Sequence, residues 1–181
     1  MNHLKGDERY LFDSDVLITS KNNYYNPEIV PAFWQWLLEG HQQGYFYSID
    51  KVSNELKKGL EGDYLYKFAT EHPSFFLSSV SKDCINEYAK LQIWANTIWT
   101  QGKKSNKTSK ATEAFASEGK ADGFLVAYAK TNRFVIVTNE TSDIKCQTNV
   151  KIPDAANHSG VITINLYKLL SMHSHNNFQF K

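Results

Sequence analysis

The chain has 181 residues, 41% hydrophobic and 22% charged, a balance that supports one self-standing globular domain and excludes a disordered chain. Twenty Lys and Arg against nineteen Asp and Glu leave +1, which excludes capture of nucleic acid or an acidic membrane by a global field; a polyanion has to be held by local charge. Cys84 and Cys146 form neither a metal-type spacing nor a disulfide framework, no apolar run approaches the ~20 residues that cross a bilayer, and the first residues lack an apolar signal region, so a cytoplasmic setting away from membranes is expected.

Read in chain order, a polar tail over 1–9 leads into the apolar run Tyr10-Leu11-Phe12, a buried strand cut off by Asp13-Ser14-Asp15. Pro31 opens a helix over 32–43, with Gly44 as its stop, and 45–49 is a second strand. Asp50 has the place of an N-cap for a helix running through Val52, Leu56 and Leu60, and 63–71 is a further helix closed by Pro73. Phe75-Phe76-Leu77 is too short to assign. A long helix over 81–99, capped by Ser81, presents Ile85, Tyr88, Leu91, Ile93, Trp94 and Ile98 as its apolar positions. The polar, lysine-rich stretch 101–110 is expected to be a loop, followed by helices over 111–118 and 121–130. Phe134-Val135-Ile136-Val137 is the clearest strand and ends in Thr138-Asn139-Glu140; a last strand covers 161–164 and a last helix 166–172. Strands alternating with helices predict a single α/β domain over 1–181 with a mostly parallel central sheet.

Two of the buried-type strands end in carboxylates, Asp13 and Asp15 after one, Glu140 and Asp143 after the other. In an open α/β sheet, ligands bind outside the carboxyl ends of the strands. If these strands are neighbours their acids converge, at a Coulomb cost that a divalent cation offsets. Mg²⁺ suits such a site because it takes oxygen ligands and binds through a few carboxylates plus a substrate phosphate. Glu55, beside Leu56, and Asp122, opening the helix before the strand that ends in Glu140, fit by position. Spacing alone leaves each of them equally well a solvated charge or a cap.

The stretch Tyr10-Leu11-Phe12-Asp13-Ser14-Asp15-Val16-Leu17-Ile18 resembles the opening motif of the PIN-domain nucleases, with Asp15 where Asn is usual. Val52-Ser53-Asn54-Glu55-Leu56 is similar to that family's second motif and the segment 121–129, beginning Ala121-Asp122-Gly123, to its third. The stretch from Val135 to Glu140 is similar to its fourth, with Glu140 in place of the more usual Asp; Asp143 is the other candidate for that role. Val150 to Asp154 and the elements after it look like a bacterial PIN-like subgroup of the domain-of-unknown-function kind, so that the resemblance runs from about Tyr10 to Phe180.

The resemblance implies a Rossmann-like three-layer α/β/α fold, dependence on Mg²⁺ or Mn²⁺, and endonucleolytic cleavage of single-stranded RNA that leaves a 5′-phosphate without using the neighbouring 2′-hydroxyl. Many bacterial members are toxins restrained by a cognate antitoxin. On this reading Asp13, Glu55, Asp122 and Glu140, with Asp15 and Asp143 as further candidates, hold one or two ions that activate a water. Ser14, Thr138 and Asn139 are expected to orient ligands or a phosphate. Lys103, Lys104, Lys107, Lys110 and Lys120 form the basic segment expected to neutralise RNA phosphates. Tyr24-Tyr25 is the best candidate for an exposed aromatic pair, and an apolar face carrying Trp34 or Trp94 is the candidate surface for a homodimer. His173 and His175, two residues apart, do not share a helical face and are expected at the surface; both cysteines are expected to serve packing.

Two other readings stand beside this one. Asp13-Ser14-Asp15-Val16 also resembles the opening of haloacid-dehalogenase-type phosphatases, in which the first Asp is a nucleophile and the second an acid/base, but Glu55 and Asp122 then have no role. The third is a catalytically degenerate PIN-like module that binds RNA or protein, a reading the Glu140 departure permits.

Overall fold

The two strongest apolar runs become neighbours in the middle of one sheet. In the computed structural model, which describes residues 8–101, 115, 120–144, 146 and 149–181, β1 (Arg9–Phe12) lies between β2 (Phe46–Ile49) and β4 (Phe134–Val137). The short β3 (Phe76–Leu77) and β5 (Thr163–Ile164) complete a five-stranded sheet in the order β3-β2-β1-β4-β5, every pair parallel. The chain runs outward from β1 to β3 and then crosses back to β4, so the strand order reverses between β1 and β4. That reversal is the switch point at which open α/β sheets form a crevice beyond their carboxyl ends.

Helices cover both faces of the sheet. Between β1 and β2 lie α1 (Ser14–Thr19), a π-helical turn (Ser20–Tyr24) and α2 (Pro31–Gln42). Between β2 and β3 lie α3 (Asp50–Leu56) and α4 (Tyr64–Glu71). The return to β4 carries α5 (Lys82–Gln101) and α6 (Asp122–Asn132); α7 (Ile152–Ser159) precedes β5, and α8 (Leu166–His173) follows it. Alternation along the strands sorts the core. Tyr10, Phe12 and Phe46 point to one face, where Phe46 meets Trp36 of α2 and Tyr10 meets His173 of α8. Tyr47 and Phe134 point to the other, where Phe134 meets Tyr128 of α6. The result is the three-layer α/β/α arrangement that the alternation of elements predicts. Among the described residues no helix is long and apolar enough to cross a membrane.

The departures from the sequence reading have local causes. Asp50 is the first residue of α3 rather than its cap; its Oδ1 accepts from the Lys51 amide and from the amide and hydroxyl of Ser79, tying the end of β2 to the loop after β3. The helix stops at Leu56 and Leu60 is exposed, since tight turns through Lys58 and Gly59 unwind it. Helices α1 and α7 are not separately assigned from the sequence: α1 has only 6 residues, too few to display a 3.6-residue period, and α7 opens on Ile152-Pro153. The Ser81 cap is present, its hydroxyl accepting from the Cys84 amide. On α5, however, the buried face is Cys84, Tyr88, Leu91 and Ala95, while Ile85 and Ile93 are exposed. Arg9, placed in the tail, begins β1. The loop expected over 101–110 lies outside the described residues except Gln101, which instead ends α5; the helix expected over 111–118 also lies outside them apart from Phe115, which is helical and buried.

Some side chains expected at the surface are interior. His173 is buried, with Nε2 3.1 Å from Tyr10 Oη, and its carbonyl accepts from Trp36 Nε1. Desolvation holds its imidazole below the ordinary range. His175 is exposed as expected. Trp34 is buried and donates to the Tyr25 carbonyl, which removes it as a dimer contact, whereas Trp94 is half-buried and stacks on His158. Tyr24 is 54% exposed but Tyr25 packs on Phe33, so the pair contributes a single free ring. Cys84 is buried and Cys146 half-buried, both as free thiols.

The approach of α2 to β2 depends on Gly40. A Cβ there would lie 2.1 Å from the Phe46 ring, itself locked between β1 and Trp36. Gly44, at φ 85°, then turns the chain into β2. Gly40→Ala is expected to destabilise the protein by roughly 1–3 kcal/mol through overpacking. Urea unfolding checks this, with a lower midpoint and an unchanged slope as the expected outcome.

Candidate active site

Asp13 follows β1 directly and occupies the switch point. Its amide donates to the Val137 carbonyl of β4, and the preceding Phe12 carbonyl accepts from the buried Ser48 hydroxyl of β2 at 2.6 Å. The backbone is therefore held from both neighbouring strands. Asp13 is the N-cap residue of α1, yet its carboxylate caps no amide of that helix. It is 2% exposed and accepts instead from the Thr138 hydroxyl at 3.0 Å. Thr138 in turn accepts from the Glu140 amide at 3.2 Å, so one hydroxyl links the carboxyl ends of β1 and β4.

The acids named from the sequence are brought into one electrostatic neighbourhood. Burial, then the charges of Asp122, Glu140 and Asp15, push the Asp13 carboxyl up to about 8, against the lowering effect of the Thr138 hydrogen bond. Burial, then Glu140 and Glu55, push Asp122 up to about 6, opposed by Lys120 and Lys151. Asp122 opens α6, and the Oε1 of Glu55, reaching across from α3, accepts from the Ala121 amide beside it at 3.0 Å. Glu140 accepts from Lys151 Nζ and from the Ile152 amide, each at 2.8 Å, which fixes its carboxylate at the start of α7.

The remaining candidates divide. Asp15 is exposed and accepts from the Thr19 hydroxyl at 3.2 Å, so it adds charge from the rim. Asp143 is exposed and its amide donates to the buried Asp154 of α7; the acid beside Asp13 is Glu140. The Ser14 hydroxyl is 3.5 Å from Asp13 Oδ1, a weak contact, and Asn139 is exposed. Lys120 is exposed and acts on Asp122 by charge. Lys103, Lys104, Lys107 and Lys110 lie outside the described residues. The sequence reading missed Lys151 and Asp154. The basic residue directly before Ile152-Pro153, a helix start with Pro just inside it, was the available signal for Lys151.

The donor chemistry fits a hard divalent cation: carboxylate oxygens on converging elements, two of them raised in pKa by mutual repulsion and burial. Among the described residues no three acidic, histidine or cysteine side chains already stand as a metal-holding group. Each Glu140 oxygen already accepts one hydrogen bond, from Lys151 and from the Ile152 amide. An ammonium thus stands where charge compensation is needed. Asp13, Asp122 and Glu140, with Glu55 behind Asp122, are the residues that would hold an ion.

These shifts set a pH dependence. A carboxyl raised in the folded state holds a proton that the unfolded chain releases, so its contribution is greatest below the ordinary carboxylate range and is lost as pH rises through the folded value. With chelator present, Asp13 and Asp122 should make the protein less stable as pH rises from about 5 to about 8. Asp13→Asn is expected to raise the melting temperature most at the alkaline end and to flatten this slope. Thermal unfolding of both proteins across the range checks it. The comparison between them isolates the acids from His173, whose lowered pKa favours folding in the opposite direction. Steeper pH dependence in the variant would contradict the assignment.

No curated protein and no solved structure matches the chain in comparison with known proteins. The model of one family, described as a domain of unknown function (DUF4411), matches residues 10–178. That span takes in β1 from Tyr10 onward, every acid discussed above and α8, and the chain therefore belongs to the DUF4411 family.

Proposed function

We propose that the chain is a Mg²⁺- or Mn²⁺-dependent endoribonuclease of PIN-like type, acting on single-stranded RNA and serving as the toxin of a toxin–antitoxin pair. The observation that carries the reading is Asp13: a carboxylate buried at the switch point of a parallel sheet and surrounded by the charges of Asp122, Glu140 and Asp15. Such a concentration of like charge is unfavourable for packing alone and matches the needs of phosphoryl transfer assisted by hard cations.

In this reading Asp13, Asp122 and Glu140 hold the ion, and Glu55 sets the start of α6 so that Asp122 faces the pocket. When bound, the ion supplies an acidified water and neutralises charge on the phosphoryl oxygens. Thr138 holds the Asp13 carboxylate in one orientation. Lys120 and Lys151, both acting on Asp122, offset the repulsion between the acidic pocket and an incoming phosphodiester. The exposed Tyr24 ring is available to stack on a base.

The phosphatase reading assigns acid/base work to Asp15, which is exposed and bonded to Thr19 within α1. The engagement of Glu140 by Lys151 is the observation that favours the third reading, a degenerate binding module.

End-labelled single-stranded RNA incubated with the protein is expected to be cut internally with Mn²⁺ or Mg²⁺, and to stay intact with chelator. Asp122→Asn should lower the rate by about a hundredfold or more. Turnover of a phosphomonoester without RNA cleavage would transfer the assignment to the phosphatase. RNA binding that persists in Asp13→Asn, without cleavage by either protein, would leave the binding module.

A further inference from the structure

We propose that Lys151 is an internal counter-charge of this site: its ammonium neutralises Glu140 in the ion-free chain, and a divalent cation has to compete with it for Glu140. The inference rests on the metal-dependent reading above and adds a residue to which the sequence reading gave no role.

The geometry is specific. Lys151 Nζ lies 2.8 Å from Glu140 Oε1, with the two side chains 26% and 22% exposed, so the pair is largely shielded from water. The other oxygen, Oε2, accepts from the Ile152 amide. Glu140 is thus anchored at the start of α7 by backbone and needs no ammonium to stay near Asp13 and Asp122. The start of α7 is fixed independently, because Asp154 accepts from the Ser142 hydroxyl and the Asp143 amide. What the ammonium adds is charge: it acts on Asp122 as well as on Glu140. Lys120, the other cation acting on Asp122, is exposed. Lys151 therefore occupies, from within the chain, the electrostatic place of an external cation. A divalent ion that approaches Glu140 meets this ammonium already beside it, and the repulsion between the two cations weakens ion affinity.

Calorimetric titration of MnCl₂ into the full chain at neutral pH tests this in the wild type, Lys151→Gln, Lys151→Arg and Glu140→Gln. Lys151→Gln is expected to bind Mn²⁺ about tenfold more tightly than wild type, and Lys151→Arg, which keeps the charge, to stay near wild type. If Lys151 acts through Glu140, the gain should vanish when Lys151→Gln is combined with Glu140→Gln. Should Lys151→Gln fold poorly, Lys151→Met carries the same expectation. Asp13-dependent Mn²⁺ binding in the wild type that is unchanged or weaker in the neutral Lys151 variants overturns this inference and leaves the nuclease reading standing. Absence of Mn²⁺ binding in every one of these proteins overturns both.

Discussion

The site depends on one unfavourable interaction that the fold makes unavoidable: carboxylates confined together at the carboxyl edge of a parallel sheet. Parallel strands deliver all their C-terminal ends to the same edge. At a strand-order reversal the connections leave in opposite directions and open a crevice there. Asp13 ends β1 and Glu140 follows β4 across that crevice, with Asp122 contributed by the helix that leads into β4. Burial of Asp13 removes the water that would ordinarily stabilise its charge. Its ionisation must then be supported by Thr138, by nearby cations or by a bound ion.

The surrounding framework accommodates this repulsion with rigid backbone. Asp13 is tied to Val137 on one side, and Phe12 to Ser48 on the other. Beneath them, Tyr10, Phe12, Phe46 and His173 pack edge to face and Trp36 packs tilted on Phe46. Such packing resists small displacements, because interiors have little free volume to absorb them. A carboxylate held on so stiff a strand end cannot relax away from its neighbours. Its energy is changed by protonation or by counter-charge instead, which is why Thr138, Lys120 and Lys151 act against the repulsion among the same few acids.

The acids differ in how they are held. Asp13 is fixed by its strand, Asp122 by the start of α6 against Glu55, and Glu140 by the start of α7. Glu55 and Glu140 thereby have structural contacts as well as charge, joining helix starts to the pocket. The charges of these acids and the alignment of α6 and α7 are consequently coupled, and the two helices also pack on each other.

Order and chemistry along the chain were enough to infer the alternation of strands and helices, the buried character of the strands at Tyr10–Phe12 and Phe134–Val137, and the strand-end acids. Continuous apolar runs and the carboxylates that cut them off are local properties. Only the tertiary structure decided the partners. Ile85 and Ile93 had a helical apolar spacing but face solvent, because α5 rotates to stack Tyr88 on Phe124. His173 was read as a surface residue and is buried, since a ring 163 positions from Tyr10 can be placed against it only by the complete three-layer packing. Lys151 and Glu140 are 11 residues apart, across a loop whose path no periodicity describes. Sequence spacing carries information along one element, whereas a charge pair between elements is settled by how they dock.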